Sequence, residues 1–142
     1  MEVDQNDSAF IYNGDEDEEL VTYGVRPCIA IAVLNRTKAW AGLFHYDNVH
    51  HKTPEIQGFL SDAQHACEPD DQVEVSYGGG DDSDPVTTEE VRRARAAAEE
   101  AVRAFFPRAR PPQWLNGDGA YNVILTTNPP RASFEFVRDD EP

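Results

Sequence analysis

Cys28-Ile29-Ala30-Ile31-Ala32-Val33-Leu34, the polar loop Asn35-Arg36-Thr37-Lys38, and Ala39-Trp40-Ala41-Gly42-Leu43-Phe44-His45-Tyr46 decide how this chain is read. The first run is apolar throughout and rich in β-branched side chains, the mark of a buried strand. The second is equally apolar. Four loop residues are too few for a crossover, so the two runs form an antiparallel hairpin. If Leu34 faces Ala39 across that loop, Ala32 faces Ala41, Ala30 faces Leu43 and Cys28 faces His45. Directly opposed residues have Cβ atoms about 4.5–5.5 Å apart, close enough for a thiol and an imidazole to meet. A register moved by two residues leaves them diagonal neighbours, and a shift by one sends them to opposite faces. Ile29, Ile31, Val33, Trp40 and Phe44 make the other face, which reads as core. Ala30, Ala32 and Ala41 share the Cys28 face and leave room for another layer or for a substrate chain.

Working outward, Leu20 to Tyr23 reads as a short strand, and Gly24 to Pro27 as a turn in which Gly24 is free to take a positive φ. Downstream, Thr53 suits a helix N-cap, Pro54 the first helical position and Glu55 the positive end of the dipole. Ile56, Phe59, Leu60, Ala63 and Cys67 follow on one helical face. Val73, Val75 and Tyr77 alternate as a strand that ends in Gly78-Gly79-Gly80, read as close backbone packing or a substrate-facing edge. After an acidic turn, Thr87 and Glu90 make a capping-box pair. Their helix buries Val91, Ala94, Ala98, Val102 and Phe105, and Pro107, Pro111 and Pro112 stop it. Tyr121 to Thr127 and Ala132 to Val137 form a final hairpin. The expectation is a single α/β domain, a largely antiparallel sheet arrangement packed with two main helices. Its bounds are 20–142, preceded by an acidic segment, 1–19, with Phe10 to Tyr12 as a short strand. That segment carries eight acids and no Lys or Arg, and Asp15 to Glu19 should be solvated.

The 142 residues suit one domain, and 39% hydrophobic content is enough for a core without metal or disulfide staples. Two cysteines are too few for a disulfide framework, so a reducing compartment is expected. No apolar run approaches a membrane span, and the start of the chain is neither basic nor apolar. The expected location is the cytoplasm, or the exterior by a route that needs no ordinary signal. A net charge of −15 repels phosphate backbones and anionic membranes, so nucleic acid and membrane are not expected partners. A basic protein partner fits, although acidity also serves solubility alone.

A free thiol holds little thiolate at neutral pH, so the chemistry of Cys28 calls for a base. An adjacent imidazole can take the proton and hold the ion pair. His45 would in turn need an orienting acceptor, for which Thr22 stands at the end of the preceding strand. Backbone N–H groups from Gly24 to Cys28 are candidates for an oxyanion site. The bland alternatives are an ordinary buried cysteine at position 28 and loop residues at His50 and His51. The set His45, Asp47, His50 and His51 fits no firm zinc pattern, so neither a metal nor a cofactor is expected. Cys67 reads as core.

The stretch Val21-Thr22-Tyr23-Gly24-Val25-Arg26-Pro27-Cys28-Ile29-Ala30-Ile31 resembles the opening motif of the CheD family, the chemoreceptor glutamine deamidases. Ala41-Gly42-Leu43-Phe44-His45 is similar to the segment that follows in that family. Val73 to Gly80 resembles its strand ending in Gly-Gly, and Leu115-Asn116-Gly117-Asp118-Gly119 its later glycine-containing stretch. The resemblance covers about residues 20–137, by order of elements more than by identity. It implies a catalytic Thr22, Cys28 and His45, and the cysteine–histidine core shared with cytotoxic necrotizing factor-type toxins. It implies attack by Cys28 on a glutamine carboxamide of a protein, loss of ammonia, and hydrolysis of the thioester to glutamate. An amine in place of water would give transglutamination. The family usually has Gly-Ser before the cysteine; here Arg26-Pro27 stands there, stiffening the turn and putting a charge at the mouth of the site. That departure bears on the substrate: a chemotaxis enzyme and an effector both fit the motif. Two other readings stand beside it, a non-enzymatic acidic interaction module on the same fold and a Cys–His amidase of small amides.

Overall fold

The computed structural model describes residues 1–47 and 53–139. In chain order it contains β1 (Asp7–Tyr12), β2 (Glu19–Val25), β3 (Ile29–Asn35), β4 (Trp40–Tyr46), α1 (Thr53–His65), β5 (Val73–Gly79), α2 (Thr88–Phe105), β6 (Gln113–Trp114), β7 (Gly119–Thr127) and β8 (Pro130–Arg138). Five strands form one sheet in the order β1-β4-β3-β5-β6, and β2-β7-β8 form a second. All pairings are antiparallel except β5 with β6.

The apolar hairpin lies at the centre of the larger sheet, and every residue of β3 and β4 is buried. That explains why both strands are apolar on both faces. On one face Ile29, Ile31, Val33, Phe44 and Tyr46 pack with Ile56, Phe59 and Leu60 of α1 and with Ala98 and Val102 of α2. On the other, Ala30, Ala32, Leu34, Ala41 and Leu43 pack with Leu20, Val25, Val123 and Leu125 of the small sheet. The result is a helix–sheet–sheet sandwich, the α/β domain with two helices expected from sequence. The small residues of the Cys28 face admit a second sheet. A fully buried Leu or Ile contributes about 1.5–3 kcal/mol, so the two interfaces supply most of the driving force.

Three details differ from the sequence reading. The hairpin register is moved by two: Asn35 pairs with Trp40 and Ala30 with His45. Asn35 belongs to the strand because its amide serves both sides of the turn. Its Oδ1 accepts the Lys38 N–H at 2.9 Å and its Nδ2 donates to Asp71 at 2.8 Å. The chain then turns through Ala39 at φ +54°. Secondly, the acidic segment 1–19 is not a lead-in outside the domain. Its β1 forms the edge of the large sheet against β4, with Val3 and Ile11 buried and Ala9 and Phe10 partly so, while most of its other residues, Asp15–Glu19 included, are exposed. Thirdly, Thr87 makes no side-chain cap, since its ψ of 1° aims the hydroxyl away from the helix N–H groups. Thr88 instead donates to the carbonyls of Asp82 and Asp84 at 2.8 and 2.7 Å. No helix among the described residues is long and apolar enough to cross a membrane.

Candidate active site

Cys28 sits where the chain enters β3. Ile29 pairs with Gly79, and the Gly80 N–H donates to the Cys28 carbonyl at 2.8 Å, carrying the β3–β5 ladder one residue further. The alternation of the strand therefore places Cys28 on the Ala30 face. His45 lies opposite Ala30, so Cys28 and His45 are diagonal rather than directly opposed. Diagonal neighbours are about 7–8 Å apart at the backbone, still within reach of long side chains.

The turn before Cys28 is held from both ends. A register irregularity in β2 falls between Thr22 and Val25, and Gly24 within it takes φ +67°, as its lack of a Cβ permits. The Gly24 N–H donates to Asn122 Oδ1 at 3.1 Å, so that donor is committed and does not face an oxyanion. The Asp81 N–H donates to the Arg26 carbonyl at 2.7 Å. Gly79, at φ +95°, lies so close that a Cβ would strike the Cys28 carbonyl and come within 2.6 Å of Val25 Cγ1. The glycine run is thus a close-packing device that pins the loop before Cys28. Arg26 pairs with Asp139 at the end of β8 and lies 3.4 Å from Asp81. Asp139 first, then Asp81, hold its guanidinium above its ordinary value against partial burial.

Thr22 reaches across from the small sheet. Its Oγ1 lies 2.6 Å from His45 Nδ1 and 2.6 Å from the Val3 carbonyl. A hydroxyl has one proton, and the carbonyl can only accept, so Thr22 donates to Val3 and accepts from Nδ1–H. That fixes the tautomer and leaves the lone pair on Nε2. Nε2 is buried with no hydrogen-bond partner among the described residues. Burial lowers the His45 pKa, with Asp4 opposing slightly, so the ring is neutral. Burial, then the nearby Asp47 carboxylate, pushes the Cys28 thiol up to about 11. Both shifts work against a resting thiolate–imidazolium pair, because the desolvation that buries both groups penalises both charges.

Cys28 forms the floor of a cleft of about 460 Å³ lined also by Gln5, Arg26, Pro27, Asp47, Asp81, Ser83, Asp84 and Thr87. Gln5, Pro27, Ser83 and Asp84 are exposed, so the rim opens to the surface above a buried thiol. The structure thus brings Thr22 and His45 into hydrogen-bond contact, leaves Cys28 a diagonal neighbour of His45 with no hydrogen bond between them among the described residues, and lines the cleft at Cys28 with Arg26 and Pro27. Sequence reasoning missed the Val3 carbonyl, Asp47 and Asn122; Val3 has no signal beyond being an isolated apolar residue among acids. His50 and His51 lie outside the described residues, and among the described residues no three His, Cys, Asp or Glu side chains form a metal-holding group. No protein-family model matches this chain, and no curated protein matches it.

Proposed function

We propose that this protein is a cysteine-dependent protein-glutamine deamidase. The observation that carries the reading is the Val3–Thr22–His45 relay, which leaves an unspent Nε2 lone pair on a residue diagonal to Cys28 in the sheet. A neutral imidazole of fixed tautomer is a general base, and a protonated thiol needs one. As the Cys28 sulfur attacks the glutamine side-chain carbonyl, its proton passes to Nε2. The tetrahedral oxyanion collapses, and the C–N bond breaks as Nε2–H returns the proton to departing ammonia. Water then attacks the thioester, Nε2 takes its proton, and the sulfur leaves to give glutamate and the free thiol. The Cys28 N–H, which faces its own sulfur, is the donor best placed for the oxyanion. The exposed rim suits a glutamine presented by a protein, and Asp47, Asp81 and Asp84 suit a basic segment beside it. No cofactor is needed, and a free nucleophilic thiol fits a reducing compartment.

The test is conversion of glutamine to glutamate in a set of unfolded proteins and peptides, read by mass and by ammonia release, with hydroxylamine to intercept the thioester. The wild type should form the hydroxamate and His45→Ala should not. A second reading, a non-enzymatic acidic binding module, draws support from the protonated thiol and the missing Cys28–His45 hydrogen bond. It prevails if no substrate is converted and Cys28 alkylates no faster than Cys67, with no effect of His45→Ala.

A further inference from the structure

Arg95 takes no part in the chemistry above, yet it grips the backbone that holds Cys28. It projects from α2 with its side chain only 19% exposed. Its Nε donates to the Gly80 carbonyl at 2.6 Å and its Nη2 to the Leu115 carbonyl at 2.9 Å. The guanidinium lies 5.2 Å from the Trp114 ring centroid, within cation–π range. Asp82 stands 3.4 Å away and also binds Arg92. The two carbonyls belong to the ends of β5 and β6, where the Leu115 N–H has made the last bond, to Gly79 at 2.9 Å. Beyond that point Gly80, in the left-handed region at φ +55°, keeps one tie to the sheet, through its own N–H. Gly80 is the residue whose N–H holds the Cys28 carbonyl, and the Asp81 N–H holds that of Arg26.

We propose that Arg95 is a positioning residue for Cys28, acting through Gly80 to keep the thiol seated at the floor of its cleft. A planar fork can satisfy two carbonyls at once while stacking on a ring; an ammonium cannot. Without it the Gly80 carbonyl loses its side-chain donor, the left-handed turn relaxes, and the Cys28 backbone loses its anchor. The thiol then becomes more exposed to solvent, with His45 and Asp47 still beside it. Since burial is the main reason the thiol resists ionisation, release is also read in its pH profile. This placement holds whether or not the protein is a deamidase.

The experiment is iodoacetamide labelling of the full chain across pH with peptide mapping, in wild type, R95K, R95Q and His45→Gln. Cys67, at the opposite end of β3, is the internal control. R95Q should label Cys28 several-fold faster with a lower pH midpoint, Cys67 should be unchanged, and R95K should lie between. An unchanged Cys28, or Cys28 and Cys67 rising together, overturns the proposal, the latter because it reports general loosening. If R95Q does not fold, R95K is judged by the same criterion. An effect of Arg95 without any effect of His45 upholds the positioning role while removing the acid–base pairing.

Discussion

The two ends of β3 each carry a cysteine, and they are built differently. At the far end Cys67 donates to the Ala63 carbonyl at 3.3 Å and accepts from Asn35 at 3.8 Å. The cleft beside it is the larger, about 840 Å³, lined by residues that include Arg36, Glu74, Phe105 and Arg108. At the near end Cys28 lines the smaller cleft, and its diagonal neighbour His45 has a second nitrogen that is buried and without a partner among the described residues. Burial raises both thiols. What separates the ends is completeness of hydrogen bonding. Buried polar groups are normally satisfied, so His45 Nε2, like the Tyr46 hydroxyl buried without a partner among the described residues, marks the near end more clearly than the volume of its cleft does.

The sharpest way to break this comparison is to remove each thiol in turn. Cys28→Ala should abolish glutamine conversion, a loss on the order of a thousandfold or more, while Cys67→Ala leaves it unchanged. Activity that follows Cys67 would reverse the assignment of the two ends. The backbone offers a smaller but independent test. Gly79→Ala forces a methyl group against the Cys28 carbonyl at φ +95°, and should cost about 2–4 kcal/mol in urea unfolding. Gly58→Ala, in α1 with open space around it, should instead stabilise by about 0.5–1 kcal/mol. Similar midpoints for the two variants would show that the nucleophile loop is not pinned. Thr22→Val leaves Nδ1–H buried without an acceptor, at a cost of about 1–3 kcal/mol, and frees the tautomer. Activity should fall with it, and a Thr22→Ser variant should restore both.

The smallest effect is in pH. The folded His45 pKa is depressed, so its contribution to stability is present above the ordinary value of 6.5 and is lost as pH falls through the folded value. Unfolding free energy should therefore decline from about pH 6.5 downwards in wild type, well above the carboxylate range near 4. In His45→Gln that limb should flatten. A limb unchanged in the variant would place its origin elsewhere.

The helices and the core hairpin were legible because burial and period are written along the chain; Thr22, Cys28 and His45 were singled out by residue type and spacing. Ile56, Phe59, Leu60 and Ala63 of α1 are buried as their spacing requires. The hairpin register was not legible. A four-residue loop closes equally well one residue further along, and the choice lies with the Asn35 amide, whose partner Asp71 is 36 residues away. Ionisation was illegible for a related reason: residue type says that Cys and His can exchange a proton, but depth of burial weighs for or against it. The grip of Arg95 and the carbonyl of Val3 were invisible, since both act through backbone atoms that any sequence supplies.

The Val3 carbonyl has a consequence for the order in which the site matures. A chain that has closed its central hairpin but not yet seated Val3 has a histidine free to carry its proton on either ring nitrogen. Docking of the N-terminal residues commits the ring to one form. Closure of the hairpin and commitment of the ring are then two separate events, and the second waits on residues that lie before the hairpin in the chain.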